Sequence, residues 1–385
     1  MVNFIYPNEA EILWSILIIL YPFFSGLVAG SYIVSVLYYV FNIQQLKSIS
    51  KFSLLTVLSF LIILPIPVAL HLGQPLRGIE ILTTPQSGSA MSGFGIIYIT
   101  FLIIMISQLW FEFRKDIISY AESNKGLKKL FYNILSLGSL DKNEQDFTTD
   151  KKIMKTLSAI GIPVSIILTG YVGFLFGGIK ASPWWATPLM PVIFIMSGFV
   201  SGTSLLFLLF VISNKIRHRQ QDHAANHILL KWIFGFLFVD VSFELLELIY
   251  MRYESMDSWP YVLILLTEKI PIPYFGLQLI AGGIIPLTLI GLLLLFKAKS
   301  NIKINIGTLS SILILIGVFA MRYSVVIGGQ LLSKSNRGFA EYHPELWGRE
   351  GLLIAVVIMI IPYIILVTLI NILPPWEDTS PKIKK

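Results

Sequence analysis

The chain has 385 residues, 55% hydrophobic and 13% charged, with a net charge of +7 and a mean hydropathy of +0.76. Soluble globular domains run nearer a quarter charged, so this composition excludes an ordinary soluble protein and points to an integral membrane protein. No cysteine is present, which excludes disulfides and any iron–sulfur cluster held by this chain alone.

Nine apolar runs read as spans, at approximately 12–41, 52–70, 92–113, 156–179, 189–213, 228–251, 273–297, 307–328 and 350–373. The expected fold is an all-α polytopic membrane protein with nine transmembrane helices. The first run lacks a basic leader and is too long for a cleavable signal peptide. Of the 29 Lys and Arg residues, 21 fall in 42–51, 114–155, 214–231, 297–303 and the tail after Leu373. The positive-inside rule then puts these segments in the cytoplasm, with the amino terminus outside the cell membrane and the carboxyl terminus inside. The net positive charge is explained by these loops, not by nucleic acid. The long polar segment 114–155 reads as a cytoplasmic loop with some helix and no soluble domain.

Span one contains Ser25-Gly26-Leu27-Val28-Ala29-Gly30-Ser31, and span five contains Ser197-Gly198-Phe199-Val200-Ser201-Gly202-Thr203. Both are small-residue faces that let helices approach closely, and both spans run in the same direction. This echo predicts two four-helix bundles in parallel repeat, 1–179 and 180–328, with 329–385 adding an outer loop, a ninth helix and the tail. Such faces also occur in membrane helices without any repeat.

Span six carries Asp240, Glu244 and Glu247. Spacings of four and three put them within about 60° of one helix face. A carboxylate facing hydrocarbon is expensive, so this face must look inward, and such residues usually mark ion or proton paths. Glu247 also lies near enough to the helix end to serve as an interface anchor.

The outer connections are rich in polar, aromatic and glycine residues: His71 to Arg77, Tyr171 to Trp185, Tyr274 to Gln278, and Arg322 through Gln330 to Phe339. This clustering predicts a site at the outer membrane boundary. Each residue also has a plainer reading. Trp184 and Trp185 fit interface-belt aromatics, the preferred reading for them. Arg77 could snorkel to headgroups, and His71 could cap span two. Arg322 lies inside a span and calls for a carboxylate partner, Glu244 or Glu247.

Taken together, His71–Arg77 with Pro85 and Ser92-Gly93, the Tyr171 turn into Pro183, the Ser197-Gly198 span, Gly276-Leu277-Gln278 through Pro286, and Arg322 through Gly338 resemble the NrfD/PsrC family. That family comprises the quinone-interacting membrane subunits of molybdopterin oxidoreductase complexes. The resemblance covers most of the chain, outside the 114–155 loop and the tail. It implies a menaquinone-like or other quinone bound near the outer face, and no haem in this subunit. It also implies a ferredoxin-like iron–sulfur subunit docked outside, with a molybdopterin catalytic subunit beyond it. By position, Tyr171 matches the tyrosine that the family places against the quinone. Span one departs from the pattern, offering Tyr21 where other polar side chains can stand. The five histidines do not oppose one another mid-span, as paired haem ligands would.

The implied chemistry needs two electrons from a neighbour and two protons. Tyr171, Tyr21, His71 and Arg77 are the candidate hydrogen-bond donors, with Gln330 in the same outer cluster. Asp240, Glu244 and Glu247, with Arg322, would handle protons. The expected direction is quinol oxidation for sulfur or polysulfide reduction, the chain being non-catalytic alone. The alternatives are a quinone-reducing subunit of an oxidase-type complex and a proton-coupled secondary transporter, which would usually show broken helices at mid-membrane.

Overall fold

A computed structural model describes residues 4–6, 12–86, 88–138, 144–253, 258–296 and 298–376. The chain is all-helical, as expected. Its main elements are α1 Ile16–Tyr39, α2 Lys47–Ile63, α3 Ile66–His71, α4 Glu80–Thr83, α5 Ala90–Ser123, α6 Leu127–Leu135, α7 Glu144–Gly177, α8 Met190–Ile216 and α9 His223–Tyr253. They continue with α10 Trp259–Ile264, a π-helical stretch Ile272–Ile284 running into α11 Ile285–Leu295, then α12 Ser300–Leu331 and α13 Leu352–Ile372. Among the described residues, eight helices are long and apolar enough to span a bilayer. The ninth expected span is α9, 31 residues long. It carries Lys231 and three acids, Asp240, Glu244 and Glu247, and is not one of those eight. Much of 114–155 is helix: the end of α5, all of α6 and the start of α7.

Helices α1 and α8 form the centre. Their spans are 83% and 72% buried, against 28–61% for the other six. The small-residue faces meet each other here. A Cβ on Gly30 would lie 2.8 Å from the Gly202 Cα, and one on Gly26 would lie 3.0 Å from the Gly198 Cα. Because Gly26 meets Gly198 and Gly30 meets Gly202, the two helices run parallel and in register. Ser31 Oγ donates to the Gly202 carbonyl at 3.2 Å across the same seam.

Neighbour relations repeat around this pair. In the first half α1 packs on α2 and α7, and α5 packs on α7. In the second half α8 packs on α9 and α12, and the π-helical stretch packs on α12. The crossed pairs α1–α12 and α7–α8 complete the pattern. The packing pairs within 1–179 thus correspond one to one with those within 180–328. Helix α13 packs against α2.

The tryptophans of the α7–α8 connection require a correction. They are not lipid-facing belt residues. Trp184 and Trp185 are 4% and 6% exposed. Trp184 Nε1 donates to the Ser324 carbonyl at 2.9 Å, and Trp185 Nε1 to the Val325 carbonyl at 2.7 Å. Trp185 stacks on Trp14 at 5.3 Å, and Trp184 meets Tyr274 edge-on at 5.7 Å. The α7–α8 turn thus folds inward and plugs the end of the central bundle at which α1 and α8 begin, which buries both rings and satisfies both indole N–H groups. Above it, Phe4 bridges to Arg337, and Trp14 N donates to Gln330 Oε1 at 3.0 Å.

Candidate functional site

Two polar centres lie in the half of the bundle that carries the amino terminus, the outer half under the charge-based topology. The first is a pair of phenols. Tyr21 projects from α1 and Tyr171 from α7, which are neighbouring helices, and the two phenols lie within electrostatic reach of each other. Tyr21 is 4% exposed, and its hydroxyl is buried without a hydrogen-bond partner. Tyr171 is half-buried and packs on Phe174 at 5.4 Å. Phe94 of α5 stands edge-on to Tyr21 at 5.0 Å. A buried hydroxyl without a partner is costly. Here it lies beside a second donor at a partly open position.

The second centre surrounds Arg322 of α12, which is wholly buried. Its Nη2 donates to Ser197 Oγ at 2.8 Å and approaches the Phe194 carbonyl at 3.4 Å. The guanidinium carbon lies 3.8 Å from the Phe194 ring centre, a cation–π contact worth about 2 kcal/mol when desolvated. Asp240 and Glu244 act on it electrostatically. Among the described residues, no carboxylate stands within ion-pair distance of Arg322. The expected Glu244 or Glu247 ion pair is therefore replaced by Ser197, Phe194 and a longer-range acidic field. The acceptors come from α8, which packs on both α9 and α12.

The acidic stripe does face inward. Asp240 and Glu244 are 4% and 7% exposed, whereas Phe238, Leu246 and Ile249 on the other face are 57%, 53% and 62% exposed. Gln278 of the π-helical stretch lies beside Glu244, and Thr187 lies beside Glu247. Tyr274 lies near Glu244 and Glu247. Thr187 belongs to the α7–α8 connection, so the stripe climbs from the level of Arg322 to the outer plug. Asp240 Oδ1, Glu247 Oε1, Gln278 Oε1 and Arg322 Nε are buried without hydrogen-bond partners.

The two centres adjoin along α1. The Arg322 Nη2 lies 3.5 Å from where a Gly26 Cβ would stand. Gly26 is five residues inward of Tyr21, a rise of about 7.5 Å. The guanidinium thus lies against the central helix at Gly26.

The remaining expected site residues are spread over the end of the bundle that carries the amino terminus. His71 Nδ1 pairs with Glu350 Oε2 at 2.7 Å, tying the end of α3 to the segment before α13. Arg77 pairs with Glu80 at 3.0 Å in an exposed turn. Gln330 is engaged by Trp14 and lines a cavity of about 220 Å³ with Ser182 and Trp185. Tyr21 and Tyr171 lie within each other's electrostatic reach, as do Arg322 and the acids, and no described contact joins His71, Arg77 or Gln330 to either group. Sequence reasoning missed Phe194 and Thr187, and it read Ser197 only as a packing residue. Their one signal is position: all three lie in or just before the first turns of the helix that faces buried Arg322.

Comparison with known proteins follows the same outline. The family model described as polysulphide reductase, NrfD, matches residues 6–333. A selenate reductase subunit of Mesobacillus selenatarsenatis is 35% identical over 202 residues, 51% of this chain and 47% of the relative. A tetrathionate reductase subunit of Archaeoglobus fulgidus is 26% identical over 314 residues, 78% of this chain and 76% of the relative. An NrfD homologue of Haemophilus influenzae is 23% identical over 329 residues, 84% of this chain and 96% of the relative. The chain spans about half the length of the selenate reductase subunit.

Proposed function

The chain belongs to the polysulphide reductase, NrfD family, and from that premise we propose that it exchanges electrons between the quinone pool and an extracytoplasmic oxidoreductase. In this reading the partners are a ferredoxin-like iron–sulfur subunit and a molybdopterin catalytic subunit. They dock on the outer face through 72–91, 180–188 and 330–348. Quinol is oxidised at this chain, and the electrons serve reduction of sulfur, polysulfide or a related acceptor. Two relatives are named as subunits of selenate and tetrathionate reductases, which supports a reductive direction. The working halves are 1–179 and 180–328, the remainder being the outer loop, α13 and the tail. The amino terminus faces outward and the carboxyl terminus lies in the cytoplasm.

The observation that carries the reading is the buried, unpartnered Tyr21 hydroxyl beside Tyr171. Two phenols at one wall suit a flat ring bearing carbonyl or hydroxyl groups, since each can donate or accept. A quinone supplies two-electron, two-proton chemistry when bound. Tyr171 and Tyr21 hold and orient the headgroup oxygen. Asp240, Glu244 and Glu247 take up and pass on the protons, while Arg322 stabilises negative charge among them.

Tyr171→Phe is the direct test. If the hydroxyl is the buried donor, its loss costs about 1–3 kcal/mol of binding or transition-state stabilisation. Turnover of the complex with menadiol as donor should fall accordingly. Wild-type rate and apparent affinity would remove the principal residue of the proposed site.

A further inference from the structure

We infer that Gly93 is a positioning residue for Tyr171: the space left by its missing side chain is where the phenol hydroxyl sits. This rests on the reading of Tyr171 as a ligand donor. Gly93 lies in the first turn of α5, which begins at Ala90. A Cβ added there would overlap Tyr171 Oη and would lie 2.9 Å from Cζ. The adjacent residues hold other parts of the same wall. Phe94 meets the Tyr21 ring edge-on at 5.0 Å. A Cβ on Gly95 would lie 2.5 Å from Ile81 Cγ2, so Gly95 seats the α4 segment against α5. Ser92 Oγ accepts from Gln86 N at 3.2 Å and fixes the chain entering the helix. The turn Ser92–Gly95 thus touches both phenols and the segment that lies over α5.

The consequence is separable from folding. The crowded atom is the free end of a side chain, so an added methyl displaces the ring and leaves the helix in place. Restoring ordinary contact moves the hydroxyl by about 1 Å, and misplacements of that size cost reactions as much as about a hundredfold. A Phe at 171 lacks the crowding oxygen and needs to move only about half an ångström to regain van der Waals contact.

The test compares wild type, Gly93→Ala, Tyr171→Phe and the double variant as the assembled complex in native membranes. Binding of 2-heptyl-4-hydroxyquinoline N-oxide, read by fluorescence quenching, is the first readout. Menadiol turnover and unfolding temperature are the others. Gly93→Ala should weaken probe binding about tenfold, as Tyr171→Phe does, with the unfolding temperature unchanged. The double variant should bind no more weakly than Tyr171→Phe. Wild-type binding by Gly93→Ala, or a further tenfold loss in the double variant, overturns the positioning role and leaves the Tyr171 reading intact. Wild-type behaviour of Tyr171→Phe overturns both. If Gly93→Ala fails to accumulate, recovery of folded protein in the double variant supports the inference, and failure of both variants overturns it.

Discussion

Glu244 is a carboxyl group kept 7% exposed on α9, where only specific neighbours make a polar group tolerable. Gln278 lies beside it, and Arg322 supplies the compensating field. Glu244→Gln keeps the shape and the hydrogen-bonding capacity but removes the proton carrier. The expected result is probe binding close to wild type with turnover reduced at least about tenfold, since positioned acid–base groups contribute that much or more. Equal turnover would take Glu244 out of the proton path. Arg322 obeys the same logic in reverse. Its planar fork stacks on Phe194 and reaches Ser197 at once, a geometry that a lysine ammonium does not reproduce.

At the scale of elements, the seam between α1 and α8 is the tightest constraint. Backbone meets backbone at Gly30 and Gly202, so a side chain there has no flexible neighbour to push aside. Gly202→Val should therefore cost about 3 kcal/mol or more, at the upper end of overpacking penalties. Thermal unfolding in detergent measures it, and a melting temperature equal to wild type would contradict the close approach. The π-helical stretch Ile272–Ile284 is a second device. Wider turns of this kind are rare and often found at functional sites. This one carries Tyr274 and Gln278 to the acids, and packs Gly282 onto Gly317.

For the whole molecule, the charge asymmetry makes a topological prediction. Reporter fusions after Lys129 and after Lys385 should both report cytoplasm. An external signal from either would reverse or break the proposed orientation. The expected docking face carries exposed apolar groups, including Leu76 at 87% and Trp347 at 77% exposure. These two contrast with the plugged Trp184 and Trp185. Trp347 is therefore placed to meet a partner surface or the lipid boundary, as the two plugged rings are not.

The sequence by itself determined the class, the helices and the inward face of α9, because hydropathy and a spacing of four and three residues are local properties of the chain. It also held the echo that pairs α1 with α8, since the two small-residue faces are near copies. Only the tertiary structure decided who meets whom. The indole acceptors lie about 140 residues downstream of Trp184 and Trp185, so a ring near a helix end looked like a belt aromatic until the connection folded inward. Arg322 called for a partner of opposite charge, but the helix placed against it supplied a hydroxyl, a carbonyl and a ring. The slot at Gly93 for the Tyr171 hydroxyl exists only where α5 and α7 cross. No periodicity encodes such a contact, because it depends on the relative placement of two surfaces that are each already satisfied as helices.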